Sequence, residues 1–185
     1  MPFEHRPWST FGDVEKVRAY NPLLRVPTLV LDDGTALIES HCILDWVDAQ
    51  VPSERAMFPR AEPERHRAIR VAAFAMGVAD KAVSLLYEKR HHEVASATGL
   101  DRCRSQIEGA FASLESERAA QSTPFWFGER MGHADIAVAV ALRFLTEAHP
   151  GLVALDRYPA LQRHAAKHEA LPVFERISQP IIPPA

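Results

Sequence analysis

The sequence predicts a small α+β portion followed by an all-α portion, and three observations support this fold class. The dipeptide Asp33-Gly34 lies between two short apolar runs, which is typical of a β-hairpin because glycine tolerates the positive φ of such a turn. Residues 52–63 contain three prolines, as linkers often do. Beyond them, apolar residues recur at intervals of three and four, which predicts helices. The expected domains are residues 1–51 and 64–185, joined by this linker.

The first portion is expected to contain a helix, a hairpin and a second helix. A short helix is predicted within Thr10–Tyr20, and it ends before Pro22 because the residue ahead of a proline avoids helical backbone angles. The hairpin strands are expected at Thr28–Leu31 and Ala36–Ile38. A second helix follows the hairpin, with Ser40 as its N-cap.

The residues beside the hairpin could bind the end of a small peptide. A proline that opens a strand keeps part of the backbone outside the ladder. A cis Val26–Pro27 bond would turn the Val26 backbone toward an extended ligand. The helix N-terminus at Ser40 suits a carboxylate, and Glu39 offers a negative charge for an ammonium group. From the residues alone, a strand-opening proline and a plain helix cap are the simpler explanations of Pro27 and Ser40.

The second portion is expected to be a helical bundle. One of its helices is apolar nearly all round, which predicts that it is the buried centre of the bundle. This helix is expected at Ala134–Ala148. The other helices are predicted from Glu64 to about His92, at Leu100–Glu117, at Pro159–Ala170, and in a short piece that begins at Leu171.

Composition narrows the class of protein. The chain of 185 residues is 47% hydrophobic, with a net charge of −3, which argues against a nucleic-acid surface and a polybasic membrane patch. Two cysteines cannot form a disulfide framework and indicate a reducing compartment. The longest apolar stretch, Ile136–Leu145, is interrupted by Arg143 and is too short to span a bilayer. The expectation is a soluble, cytoplasmic protein.

Two parts of the chain resemble the glutathione transferases. In the first portion, the matching features are Val26-Pro27, the hairpin, and the run Glu39-Ser-His-Cys-Ile-Leu44. In the second portion, Phe125-Trp-Phe-Gly128 followed by Met131-Gly-His-Ala-Asp135 resembles the loop and the capped, buried helix of the family's all-helical domain. The resemblance covers nearly the whole chain.

The resemblance implies a thioredoxin-like first domain that binds glutathione. By position, it implies that Val26, which precedes the cis proline Pro27, bonds the cysteinyl backbone of glutathione. It implies that Glu39 and Ser40 hold the γ-glutamyl end, and that Arg25 lies near the glycine carboxylate. The implied reaction is attack of the glutathione thiolate on a small electrophile.

The resemblance also assigns a structural role to Asp135 as part of a helix cap. The family usually has Ser or Thr three residues before this Asp. Here that position is Gly132, so the side-chain half of the cap is missing, at a cost of a few tenths of a kcal/mol. The carboxylate of Asp135 is still expected to accept hydrogen bonds from backbone N–H groups.

The family's first strand and helix, with the activating Ser, Tyr or Cys, have no counterpart in this sequence. A misassigned start, a fragment and a natural short form are the possible explanations, and the first two are favoured. The thioredoxin-like domain is therefore expected to be incomplete. In a short form, residues 2–6 or a partner chain are expected to take the vacant place beside the first hairpin strand. Weak or absent transferase activity is expected of the chain as it stands.

Two classes of function remain open. The first is a glutathione transferase that conjugates glutathione to an unidentified electrophile. The second is a non-enzymatic protein that uses the same fold as a dimerisation or interaction scaffold. Because family members pair through the first domain and the long helices, a homodimer is expected in both cases.

The remaining candidates are assigned structural roles. Cys42 and Cys103 fall on the apolar sides of their helices, so both are expected to be buried, inert thiols. His164 and His168 are four residues apart and could share a metal on one helix face. No carboxylate or thiolate lies near them in the sequence with ligand spacing. They are therefore expected to face solvent, and no metal is expected.

Overall fold

The computed structural model describes residues 2–91, 96–179 and 181. The chain divides into two compact units, Met1–Ala56 and Met57–Ala185. The boundary between the units lies within the residues that the sequence predicts to be a linker.

The first unit combines one hairpin with short helices. The strands β1 and β2 are antiparallel, with Thr28 paired to Ile38 and Val30 paired to Ala36. At the turn, Gly34 has a φ of 87°, which explains why glycine occupies this position. The elements of this unit are α1 (Val14–Arg18), β1 (Thr28–Val30), β2 (Ala36–Ile38), α2 (Ser40–Ala49) and a 3₁₀ turn (Ser53–Arg55).

The expectation that residues 2–6 fill the vacant place in the sheet is wrong. In the described residues, the sheet consists of β1 and β2 alone. Residues 2–6 have no regular secondary structure and are exposed, and 82% of Phe3 is accessible to solvent. The proline at position 2 and the scarcity of apolar residues in this segment give it little to bury against β1.

The second unit is helical. Its helices lie within a few residues of their predicted positions, although the predicted end of the first helix at His92 lies outside the described residues. The helices are α3 (Glu64–His91), α4 (Ala97–Ala119), α5 (His133–Ala148), α6 (Pro159–Glu169) and α7 (Pro172–Ile177), with a 3₁₀ turn at Leu155–Arg157.

The core of the second unit is formed around α5, which packs against α3 and α6. Large side chains from the other helices and from the loop before α5 are fully buried with it, among them Phe111, Trp126 and Leu161. This agrees with the prediction that α5 is the buried centre of the bundle, although 49% of Val140 is accessible to solvent. No helix in the described residues is both long enough and apolar enough to cross a membrane.

Candidate functional site

A buried asparagine shapes the turn that leads into β1. Only 1% of Asn21 is accessible to solvent. Its amide nitrogen donates to the carbonyl of Arg25 at 2.9 Å and to the hydroxyl of Thr28 at 3.1 Å, and its amide oxygen accepts from the N–H of Leu23 at 3.0 Å. From the sequence, this position is predicted only to end the first helix, and the hydrogen bonds of its side chain are not predicted. The signal available was a hydrogen-bonding side chain in a turn, which Asn often provides.

This turn presents Val26 at the surface. The Val26–Pro27 peptide bond is cis. Val26 is 62% accessible to solvent and lies just ahead of the first ladder pair, Thr28 with Ile38. The ladder ends at this pair, with Val26 and Pro27 just before Thr28 and with Glu39 and Ser40 just after Ile38. The residues predicted to bind a ligand therefore flank the same end of the hairpin.

The start of α2 differs from the prediction by one residue. Ser40 is the first helical residue, and Glu39 is the N-cap, so the prediction of Ser40 as N-cap is wrong. The reason is the backbone of Glu39, whose φ is +65° and whose carbonyl accepts from Ile43 N–H at 3.1 Å. A positive φ is uncommon for a residue with a side chain and costs about 1–3 kcal/mol. Strained residues of this kind cluster at ligand sites, which supports a functional role for Glu39.

Arg25 and Glu39 form an ion pair at this end of the hairpin. Their Nη1 and Oε1 atoms are 3.1 Å apart, and 49% and 31% of the two side chains remain accessible. A pair this exposed contributes at most about 1 kcal/mol, because water screens the charges. The pair can therefore open at little cost when a charged ligand approaches.

Asp135 lies at the start of α5 and is 1% accessible. Its Oδ1 accepts from Trp126 N–H at 2.8 Å, and its Oδ2 accepts from Gly132 N–H at 2.8 Å. A Cβ atom added to Gly132 would lie 2.7 Å from the carbonyl oxygen of Met57, so a serine or threonine does not fit there. The carboxylate thus connects the aromatic loop, residues 125–128, to the start of α5, and its role is structural.

The expectation that His164 and His168 face solvent is wrong, because 3% and 0% of these residues are accessible. They pack among Phe125, Trp126 and Phe174. Burial lowers the pKa of His164 to about 3, and the neighbouring His168 adds to the effect. His164 is therefore neutral at pH 7, so its 3.8 Å approach to the Asp135 carboxylate is not an ion pair.

The two cysteines also differ from the expectation of burial. Cys42 is exposed on α2, whereas Cys103 is half-buried on α4 and packs against the core of the second unit. Cys42 lies in the first turn of α2, and the two-stranded sheet of the first unit does not cover it.

Family models match both portions of the chain. The N-terminal domain of glutathione S-transferases matches residues 1–55, and the C-terminal domain of the same family matches residues 97–167. Among curated proteins, glutathione S-transferase A3 of Mus musculus is 25% identical over 183 residues, which is 97% of this chain and 78% of the mouse protein.

Solved structures give the same result. A glutathione transferase family member from Pseudomonas fluorescens Pf-5, solved with bound glutathione, is 30% identical, with a TM-score of 0.77 over 91% of this chain and 80% of that one. A glutathione S-transferase from Methylobacterium radiotolerans, in complex with glutathione sulfonate, is 27% identical, with a TM-score of 0.82 over 96% of this chain and 84% of that one. The predicted fold class, a thioredoxin-like portion followed by a helical one, is confirmed. The chain belongs to the glutathione S-transferase family.

Proposed function

We propose that the chain binds glutathione at the end of the hairpin formed by Arg25, Val26, Pro27, Glu39 and Ser40. The observation that carries this proposal is the strained Glu39 at the N-terminus of α2, in contact with Arg25, which precedes the exposed Val26, in a chain of this family. The glutathione that is bound in the Pseudomonas fluorescens relative supports the choice of ligand.

The γ-glutamyl end of glutathione carries an ammonium group and a carboxylate. The first N–H groups of α2 have no partner within the helix, and the positive end of the helix dipole favours an anion. Ser40 is the first residue of this helix and adds a hydroxyl. Glu39 provides the negative charge for the ammonium group. Glu39 and the N-terminus of α2 therefore complement the two charges of an α-amino acid.

The middle of glutathione is an extended peptide, and Val26 is suited to pair with it. An extended ligand can add to a strand edge through main-chain hydrogen bonds. Val26 is exposed and lies two residues before β1, where an extended ligand could pair with its backbone. We assign Val26 to the cysteinyl backbone, with Pro27 fixing the direction of the chain at that point.

Arg25 supplies the charge for the glycine carboxylate. Its guanidinium contacts the Glu39 carboxylate. The ammonium group of glutathione would pair with Glu39, and its glycine carboxylate would pair with Arg25. Each side chain would thus replace the other with a charged group of the ligand. Because the exposed pair is weak, this exchange costs little.

Bound glutathione is proposed to act as a nucleophile. Its thiol must lose a proton, after which the thiolate forms a sulfur–carbon bond to a small electrophile and the leaving group departs with its electron pair. Binding must therefore be combined with a group that lowers the thiol pKa, and no residue of this sequence is assigned that role. We further propose that the protein is a cytoplasmic homodimer, which the family resemblance and the low cysteine content support.

Isothermal titration of glutathione into the full chain tests the proposed site. Glu39→Gln removes one charge but keeps the shape of the side chain, and a lost charged hydrogen bond of about 1.5–3 kcal/mol lowers the affinity roughly 10-fold to 100-fold. Ser40→Ala is expected to have a smaller effect in the same direction. Glu15→Gln is the matched control, because Glu15 is an exposed acid that pairs with Arg18 on α1.

The variants should unfold at the same temperature as the wild type, which separates a lost contact from a lost fold. Equal affinity of the wild type, Glu39→Gln and Glu15→Gln would remove Glu39 from the site. A wild type that shows no heat of binding at millimolar glutathione would contradict the proposal as a whole.

A further inference from the structure

Three buried side chains of the second unit come together between α5 and α6. Asp135, His164 and His168 are 1%, 3% and 0% accessible. Each offers a metal-ligand atom, and these three atoms lie within 4.8 Å of one another. Asp135 is far from the histidines in the sequence, so only the fold brings the group together.

Hydrogen bonds fix which nitrogen of each histidine carries the proton. His164 Nε2 lies 3.2 Å from the carbonyl oxygen of Asp135, and His168 Nδ1 lies 2.7 Å from the carbonyl oxygen of His164. A carbonyl only accepts hydrogen bonds, so these two nitrogens donate. In the neutral rings, His164 Nδ1 and His168 Nε2 are consequently left with lone pairs.

Both lone pairs are buried without a hydrogen-bond partner in the described chain. The nearby aromatic residues do not provide one. Phe125 and Phe174 have no polar side-chain atom, and the indole N–H of Trp126 donates to Glu117 at 3.0 Å. A buried acceptor without a donor is unfavourable, and a bound ion would relieve it at each nitrogen that it contacts.

Asp135 can serve as a ligand while it caps α5. Each of its carboxylate oxygens accepts one backbone N–H, from Trp126 and from Gly132. An ionised carboxylate has about four acceptor positions, so capacity remains on both oxygens. The two backbone hydrogen bonds also hold the carboxylate in a fixed orientation, which is a common feature of metal sites.

We propose that Asp135, His164 and His168 form a binding site for a divalent transition-metal ion such as Zn²⁺. Two imidazole nitrogens and one carboxylate oxygen are a donor set that zinc accepts, and the four-residue spacing places both histidines on one face of α6. His168 donates its Nδ1–H to a backbone carbonyl, as metal-bound histidines do. The His164 nitrogen nearest the Asp135 carboxylate is Nε2, which lies 3.8 Å from Oδ1. Ligands about 2.1 Å from one ion are at most about 4.2 Å apart, and these atoms lie within 4.8 Å of one another, so the contraction that an ion requires is at most about 0.6 Å.

Zinc uptake by the full chain tests this proposal. The protein is stripped with a chelator, desalted and dialysed against micromolar zinc, and the bound metal is counted. The wild type is expected to retain one equivalent, and His168→Phe, which suits the aromatic surroundings, is expected to retain none. His66→Gln is the control, because His66 and Glu62 form an exposed pair that could bind zinc adventitiously. It is expected to retain one equivalent.

X-ray absorption of the zinc-loaded wild type gives a second measurement that needs no variant. It should show two imidazole ligands at roughly 2.0–2.1 Å together with oxygen. Circular dichroism shows whether His168→Phe folds. If this variant does not fold, the X-ray absorption spectrum of the zinc-loaded wild type tests the proposal by itself. A wild type that takes up no zinc, a folded His168→Phe that keeps its equivalent, or a spectrum with fewer than two imidazoles would overturn the proposal.

Discussion

The two units of this chain bury different kinds of side chain. Among its described residues, the first unit buries one hydrophobic side chain, Val17, together with the polar Asn21 and Asp48. The second unit buries large aromatic and aliphatic side chains from its five helices and from several loops, including Phe111, Trp126 and Leu145. The first unit thus depends on local turns and polar hydrogen bonds, whereas the second depends on a hydrophobic core.

This difference in burial indicates which kind of site each unit can form. A unit with a shallow core leaves its backbone and charged side chains near solvent, and the proposed glutathione residues are of this kind. A unit with a deep core can remove polar groups from water, and Asp135, His164 and His168 are found there. Substitutions in the two units should accordingly act on different properties, namely stability in the second and ligand affinity in the first.

The largest expected effect is the loss of a core side chain in the second unit. Leu145 is fully buried on α5, so Leu145→Ala should lower the free energy of unfolding by about 2–5 kcal/mol through lost burial and a residual cavity. The exposed Val140 on the same helix is the control, and Val140→Ala should change the free energy by about 0.5 kcal/mol or less. Urea unfolding measures both. Equal effects of the two variants would mean that α5 is not the centre of the core.

A smaller effect is expected from acid. His164 has a pKa of about 3 in the folded chain, against about 6.5 when unfolded. Above pH 6.5 it is neutral in both states and contributes nothing to the pH dependence. Below pH 6.5, His164 is protonated in the unfolded chain but stays neutral in the folded chain. The free energy of unfolding therefore falls as the pH falls, with a slope that approaches about 1.4 kcal/mol per pH unit. This loss should continue down to about pH 3.

Urea unfolding at pH 6.5 and pH 5.5, with a chelator present, measures this dependence. The wild type should lose about 1 kcal/mol more than His164→Phe over that interval, because the unfolded histidine is already half protonated at pH 6.5. His5→Gln is a suitable control, because His5 is exposed and belongs to the first unit. Identical pH dependence of the wild type and His164→Phe would show that His164 accepts a proton in the folded state.

The smallest expected effect on stability belongs to the first unit, where Asn21→Ala removes three hydrogen bonds from the turn before β1. Water can replace part of them, so the local cost is about 1 kcal/mol. Faster hydrogen exchange at β1 and β2, together with weaker glutathione binding, is expected. Gln50→Ala is the control, because Gln50 makes one exposed hydrogen bond to Trp46. Unchanged exchange in Asn21→Ala would show that the turn holds its shape without this amide.

Features that depend on neighbours in the sequence were predictable. The Asp33-Gly34 turn, the strand pair beside it and the helices of the second unit follow from turn chemistry and apolar periodicity. Errors at the helix ends are small, and the one at Ser40 has a clear cause. The positive φ of Glu39 places the cap one residue earlier, and a positive φ is not expected of a glutamate.

Features that depend on tertiary packing were not predictable in this way. The spacing of His164 and His168 drew attention to them, but their burial depends on the aromatic loop and on α7. Their carboxylate companion, Asp135, is 29 residues from His164 in the sequence. Asn21 was missed for a related reason, since a polar residue beside a proline gives no indication that its side chain is buried.

The most direct test of the central claim is a glutathione titration of the ¹⁵N-labelled chain, followed by NMR. The account predicts that the backbone N–H signals of Val26, Glu39 and Ser40 shift together, with one dissociation constant, and that the signals of α4 and α6 do not move with them. Saturating shifts confined to the second unit, with the three signals unchanged, would contradict it.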